Sequence, residues 1–306
     1  MSSACVIEVS NLRKAYGSTV AVDDVSFGVR EGEIFGLIGP NGAGKTTTME
    51  CAEGIRKPDS GSISVLGMDP RRDAYKLQTR IGIQLQEAQL QKRIKVWEAV
   101  DLWSSLYPKN IDTVGLIEQL GLTDKRNAHF MTLSGGQKQR LFIALALIHD
   151  PDVVFLDELT TGLDPQARRA IWSLVTGIRD RGKTVFLTTH LMEEAERLCD
   201  RVVIIEHGKV IEMGSPLELV EKHCPQRSVV LSCDRAGVAE MVERVPSVEA
   251  VRRDGPTYSV SGSGPDFVSE MIRFISEESI RVTDFRTVVP TLEDVFLKLT
   301  GRGIRD

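Results

Sequence analysis

The chain has 306 residues, with 38 basic against 43 acidic side chains and a formal net charge of −5. That length predicts two domains at roughly 100–200 residues each, and 42% hydrophobic and 26% charged residues are ordinary for a globular protein with a sizeable core. The acidic balance argues against a nucleic-acid partner; five scattered cysteines without a C-x-x-C pair argue against a disulfide framework or a zinc site.

The cysteine usage fits a reduced, cytosolic compartment. The opening MSSACVIEVS has no basic stretch ahead of an apolar one, so no signal peptide is expected. The longest notable apolar run, 141–148, is far short of a membrane span. If a membrane matters, another chain spans it.

In chain order, EIFGLIG (33–39) reads as a buried strand running into a glycine-rich loop, and Lys45 opens a helix that lasts to about Gly54. From about Glu87 to Ile148 the pattern is mostly helical, with Val96, Trp97, Val100, Trp103, Leu106 and Tyr107 at helical spacing. VVFLDE (153–158) is a second apolar strand, ending in two carboxylates. TVFLTTH (184–190) is a third, followed by the helical MEEAERLC, and RVVIIEHGKVIEMG (201–214) is a hairpin turning at His207-Gly208. Strands alternating with helices predict a sheet with helices packed on it and a helical subdomain inserted in that α/β core. Beyond about residue 222 the order is strand (228–233), helix (236–244), strands (248–253 and 257–261), helix (266–277), strand (280–288) and helix (291–299). This βαββαβ order plus a last helix resembles a small ferredoxin-like unit.

The loop Gly39-Pro40-Asn41-Gly42-Ala43-Gly44-Lys45-Thr46, followed by Thr47, fits G-x-x-x-x-G-K-[ST] between a strand and a helix. Its glycines let backbone amides wrap phosphates, Lys45 brings a charge to the β/γ-phosphates, and the Thr46 hydroxyl can ligate Mg²⁺. Asp157 and Glu158 end a buried strand, where one carboxylate can hold Mg²⁺ and its neighbour can polarise an attacking water. His190 ends the third strand, as a γ-phosphate contact or as a capping residue. LSGGQKQR (133–140) looks like a second phosphate grip: a serine and two glycines at the head of a buried helix. One chain therefore carries two such devices.

Together these stretches resemble the ATP-binding subunit of an ABC transporter. The phosphate loop, LSGGQ (133–137), VVFLDE, TTGLD (160–164) and TTH (188–190) follow the family's order over most of residues 1–220. The resemblance implies an α/β P-loop NTPase core of the ABC ATPase type over 1–222, with a helical subdomain at about 87–148 and a small α+β domain over 223–306. It points to Tyr16 in LRKAYG (12–17) as a ring that stacks on adenine, although packing is the alternative. It points to Gln86 as the glutamine-loop residue that helps hold the metal, with Gln84 the lesser candidate. It implies ATP and Mg²⁺ as cofactors and Glu158, His190 and Lys45 as the catalytic group, with Thr46, Gln86 and Asp157 organising the metal. Two domains would pair head to tail, so that Ser134, Gly135, Gly136 and Gln137 of one complete the ATP site of the other; the two grips would then serve two ATP molecules. The partners implied are a second copy or close paralogue and a membrane-spanning permease, with the chain peripheral on the cytoplasmic face of the membrane. In one departure from the family, Leu159 stands where proline usually follows the Asp-Glu pair, leaving that turn without a fixed φ.

PTLEDVFLKLTGR (290–302) is similar to the tail of subunits that serve ABC-2-type exporters, including drug and antibiotic self-resistance pumps. The same stretch reads as an amphipathic helix capped at Thr291, with Leu292, Val295, Phe296 and Leu299 facing a core. Rival readings weigh less. Translation-type ABC ATPases carry two motif sets, repair types carry long coiled coils, and a P-loop GTPase would show Asn-Lys-x-Asp. A non-transport ABC ATPase acting as a regulatory or assembly factor, and an ATP-gated scaffold, remain as alternatives.

Overall fold

The computed structural model describes residues 5–84, 89–108, 111–235, 237–264 and 266–301. The chain divides into two compact units, Met1–Pro216 and Leu217–Arg302.

The first unit begins with two long strands, β1 (Cys5–Tyr16) and β2 (Thr19–Arg30), then β3 (Ile34–Ile38), α1 (Lys45–Ala52), β4 (Ser60–Val65), the single turn α2 (Ala74–Leu77) and β5 (Ile81–Gln84). Helices α3 (Val96–Ser104), α4 (Thr113–Gln119) and α5 (Gly135–Leu147) follow before the chain returns to strand. It closes with β6 (Val153–Asp157), α6 (Pro165–Asp180), β7 (Thr184–Thr189), α7 (Met192–Leu198), β8 (Arg201–Glu206) and β9 (Lys209–Gly214). The main sheet has the order β5-β6-β7-β3-β8-β9, parallel through β8, with β9 antiparallel at its edge. All residues of β3, β6 and β7 are buried, as expected for parallel strands covered on both faces. A separate antiparallel sheet, β2-β1-β4, completes the unit. Both sheets share one core with Met49, Cys51 and Ala52 of α1, built around Phe27, which stacks on Phe35 at 5.4 Å.

His207 and Gly208 join β8 to β9 with φ of 49° and 76°. Two positive φ values in a two-residue turn match the right-handed twist of the strands they link. Helix α3 stops short of the last residues at helical spacing, Leu106 and Tyr107. It ends at Ser104 because the hydroxyls of Ser104 and Ser105 donate back to the carbonyls of Asp101 and Leu102. Leu106 is consequently 69% exposed, while the Tyr107 ring stacks on His149 at 4.2 Å. All five cysteines are free, and no helix among the described residues is long and apolar enough to cross a membrane.

Helix α8 (Pro216–His223) leads into the second unit, which contains β10 (Arg227–Cys233), α9 (Val238–Val242), β11 (Val248–Asp254), β12 (Thr257–Gly262), α10 (Phe267–Glu277), β13 (Val282–Val288) and α11 (Leu292–Thr300). Its sheet is fully antiparallel in the order β11-β12-β10-β13, the split βαβ arrangement. Tyr258, Phe267 and Met271 are buried at its centre with Leu231 and Val260. Thr291 caps α11 through a reciprocal bond with Asp294; Leu292, Val295 and Phe296 are buried and Leu299 half-buried.

Phe267→Ala should therefore destabilise the second unit by about 3–5 kcal/mol, the cost of a large buried ring lost to a cavity. Hydrogen exchange at β10 and β12 amides should accelerate accordingly, while β3 and β7 amides keep their protection.

Candidate functional site

The site starts with a fully buried strand that must hand the chain to a helix inside a crowded core. Gly44 precedes α1 with φ of 99°, and a Cβ there would lie 2.2 Å from the Ala21 carbonyl oxygen. Only glycine fits that approach. The turn aims the first amides of α1 outward, where helix N-termini attract anions. Lys45 then folds back: its Nζ donates to the carbonyls of Gly39 at 2.9 Å and Pro40 at 3.0 Å. Its side chain is 4% exposed, and Nζ lies 3.6 Å from Glu158 Oε1. Burial holds the Lys45 amine below the usual lysine value, and the Glu158 charge opposes that shift.

Asp157 and Glu158 reach the same place from the end of β6. Burial raises the Asp157 carboxyl above the ordinary carboxylate range, and hydrogen bonds from Thr188 and Thr46 pull the other way. Glu158 adopts a φ of 45°, uncommon for a residue with a side chain. Its amide is held at 3.2 Å by both the carbonyl and the hydroxyl of Thr188 on β7. Glu158 Oε1 lies 3.3 Å from His190 Nδ1, and Oε2 accepts from the Thr161 hydroxyl at 3.4 Å. The adjacent parallel strands β6 and β7 thus bring Asp157, Glu158 and His190 to one sheet edge beside the loop.

Ala21, Asn41, Gly42, Gly44, Lys45, Thr46, Thr47 and Glu158 line a cleft of about 370 Å³. That volume falls within the range of small-molecule sites. Gly39 and Ala43 are buried behind it, and a Cβ on Gly39 would clash with the Ile205 carbonyl. The Tyr16 ring stands at its edge, 42% exposed, with its hydroxyl 3.4 Å from Thr47 Oγ1 and the Arg56 guanidinium 5.2 Å from the ring centre. A larger recess of about 600 Å³, lined by Asp59, Asp69 and Arg71 among others, contains none of the motif residues.

Ser134, Gly135, Gly136 and Gln137 form no part of this cleft. Ser134 caps α5, accepting from the Gln137 amide at 3.3 Å while Gln137 Oε1 accepts from the Ser134 amide at 3.0 Å. Ser134 and Gly135 are exposed. Gly136 is buried against Ala167, where a Cβ would come within 3.0 Å. Gln86 lies outside the described residues; Gln84 is buried at the end of β5.

Two further residues bear on this site. Thr188, within TTH, holds both the Asp157 carboxylate and the Glu158 amide. Glu53 ends α1 at 7% exposure, and burial, reinforced by the charges of Asp157 and Glu50, pushes its carboxyl up to about 8. An acidic residue at an apolar helix position is the one sequence cue for it.

A glycine-rich loop closing on a buried lysine, with a carboxylate pair at the neighbouring strand end, defines a nucleoside-triphosphate-binding α/β protein. Comparison with known proteins narrows that class. The description "ABC transporter" matches residues 22–161. Similar proteins include the Nod factor export ATP-binding protein I of Ralstonia nicotianae, 37% identical over 100% of this chain and 97% of the relative. The Rhizobium sp. strain N33 protein of the same name is 38% identical over 98% of both chains. Among solved structures, cbiO1 from Clostridium perfringens, part of an ABC transporter complex, is 28% identical with a TM-score of 0.64, covering 72% of this chain and 96% of its own. A dimeric ATP-binding cassette in a post-hydrolysis state with ADP and Pi is 25% identical with a TM-score of 0.62, covering 68% and 98%. The chain belongs to the family of ABC transporter ATP-binding subunits, and it is an ATPase.

Glu53 gives this site a pH signature. Its carboxyl titrates near 4.5 when unfolded and at about 8 when folded. Between those values the folded chain holds one more proton than the unfolded chain, so stability falls as pH rises through the window and levels off above it. Glu53→Gln should remove that slope and stabilise the protein by on the order of 2–4 kcal/mol above the window. Denaturation midpoints from acid to alkaline pH check this; a gain independent of pH contradicts it.

Proposed function

We propose that the chain powers export of an amphiphilic molecule through a separate membrane-spanning permease. It works as a head-to-tail dimer with ATP and Mg²⁺ at the interface. One observation carries this reading: Lys45 and Glu158, which His190 contacts, line one cleft, while Ser134 and Gly135 are exposed elsewhere on the same chain. A site split in this way needs a second copy to close it. The resemblance to the dimeric ADP and Pi cassette supports that reading.

In the nucleotide site, Gly42, Gly44 and the first amides of α1 surround the phosphates, and Asn41 lines the cleft mouth. Lys45 takes the β/γ-phosphate charge in place of the loop carbonyls it now contacts. Its departure frees Glu158 Oε1 to hold and polarise a water, with His190 steadying the γ-phosphate. The Asp157 carboxylate and Thr46 hydroxyl are oxygen donors close enough for the hydroxyl to hold the Asp157 carboxyl down against burial. That set suits Mg²⁺, which keeps several waters and takes the rest of its ligands from phosphates. The ion would neutralise charge that builds on the phosphates. Gln86 completes the set in this reading, and Tyr16 stacks on the base. Gly135, Gly136 and Ser134 donate to the γ-phosphate of the facing copy, with Gln137 holding their turn.

Export as the direction follows the relatives' name, Nod factor export ATP-binding protein I. The narrower reading of drug or antibiotic export rests on the resemblance of 290–302. The same name weighs against a non-transport regulatory factor. With the permease as its partner, the chain sits on the cytoplasmic face of the membrane. Co-purification from detergent-solubilised membranes should recover a polytopic chain bound to it; recovery of a ribosome or repair complex instead would sink the transport reading.

Glu158→Gln should bind ATP within about threefold of wild type yet lose at least about a hundredfold in kcat. It should accumulate as an ATP-dependent dimer on size exclusion. Ser134→Arg should leave monomer binding intact while ATPase activity collapses; an unaltered rate would remove the cross-dimer role.

A further inference from the structure

We propose that Glu194 is a positioning residue for ATP hydrolysis. It ties the turn that follows Glu158 to the helix that follows His190. The inference rests on the reading of Glu158 as the group that holds the attacking water.

Glu194 lies on α7, four residues past His190, and is 1% exposed. Its Oε1 accepts two hydrogen bonds, from the Thr160 hydroxyl at 2.7 Å and from Trp172 Nε1 on α6 at 3.0 Å. Its Oε2 is buried without a partner, and no lysine, arginine or histidine among the described residues forms an ion pair with it. A carboxylate buried on such terms is costly, and a well-packed apolar side chain would fill the position without that cost. Stability therefore gives no account of its presence, whereas its connections do.

Thr160 is two residues past Glu158. The turn between them closes on itself, with the Thr161 amide donating to the Glu158 carbonyl at 3.4 Å and the Leu163 amide to the Thr160 carbonyl at 3.2 Å. On the near side, Thr188 of β7 holds the Glu158 amide. On the far side, Glu194 holds Thr160. The segment carrying Glu158 is thus pinned at both ends to the strand and helix that flank His190, and Glu158 keeps its positive φ between the two pins.

Leu159 makes the far pin matter. A proline between Glu158 and Thr160 would limit the turn through its ring. Leu159 has no such restriction; its burial at 2% exposure and the anchored neighbour help to restrain it. The Thr160–Glu194 bond supplies the constraint that a ring would otherwise impose, and so sets where the Glu158 carboxylate points relative to His190.

The test uses the full chain. Glu194→Met, of similar length but without an acceptor, should lower kcat at least about tenfold while KM for ATP and equilibrium ATP affinity stay within about threefold. Glu194→Gln retains an acceptor oxygen and should restore kcat to within about threefold of wild type. Thr160→Val, isosteric at a buried position, should match the loss in Glu194→Met, and the double variant should fall no further than the worse single variant. A folded Glu194→Met or Thr160→Val with kcat within about twofold of wild type overturns the proposal, as do fully additive losses in the double variant. If Glu194→Met fails to fold, Thr160→Val decides by the same criterion. Glu158→Gln, run alongside, separates the two levels. Wild-type turnover there overturns the reading of Glu158 and this proposal with it. An inactive Glu158→Gln beside fully active Glu194→Met and Thr160→Val overturns the positioning role alone.

Discussion

A lysine ammonium taken out of water needs compensation, and in this chain the compensation organises everything near it. Lys45 is held by two loop carbonyls and by Glu158. Each of those groups is fixed by an element that exists for another reason. The carbonyls belong to a loop that β3 and Gly44 force into a tight wrap. Glu158 is set by β6, whose register against β7 also sets Thr188 and His190. The parallel sheet is thus a device for bringing three strand ends and one helix start to a single point. In the proposed function a triphosphate supplies strong negative charge to the buried lysine, and binding would exchange its partners and release Glu158 for chemistry.

The same constraint bears on the proposed head-to-tail pairing. Lys45, Thr46 and Glu158 line one cleft, and the cap at Ser134, whose Ser134 and Gly135 are exposed, lines no part of it. Gly136 packs closely on α6, where a Cβ would stand 3.0 Å from that of Ala167. In the proposed head-to-tail pairing this cap would meet the nucleotide of a facing copy, and closure would depend on the nucleotide bridging the two.

Much of this was legible in the sequence because the signals are local. The strand-loop-helix at 33–52, the hairpin at His207-Gly208 and the cap at Ser134 with Gln137 each combine a short spacing with a turn or capping residue. The order of elements in the second unit follows from period-two strands and clear breaks between them. The antiparallel pair β1–β2 was not legible, since its register shifts at four places and the bulges break the alternation a strand would show. The apolar spacing runs on through Leu106 past the end of α3, where the Ser104 and Ser105 hydroxyls bond back to the helix. Within the site, the residues of the glycine loop and the Asp-Glu pair announce themselves by spacing. What Thr188 and Glu194 do is not readable that way: Thr188 bonds Asp157 31 positions away and Glu194 bonds Trp172 22 positions away, which only the folded chain brings together.

If each nucleotide is closed in by two copies, ATPase activity per chain must depend on how many chains are paired. The most direct measurement is the initial hydrolysis rate of the purified protein over several decades of concentration at saturating ATP. The account predicts a specific activity that falls on dilution, with a rate approaching second order in protein at the low end. A specific activity that stays constant down to concentrations at which the protein is monomeric by light scattering would contradict it.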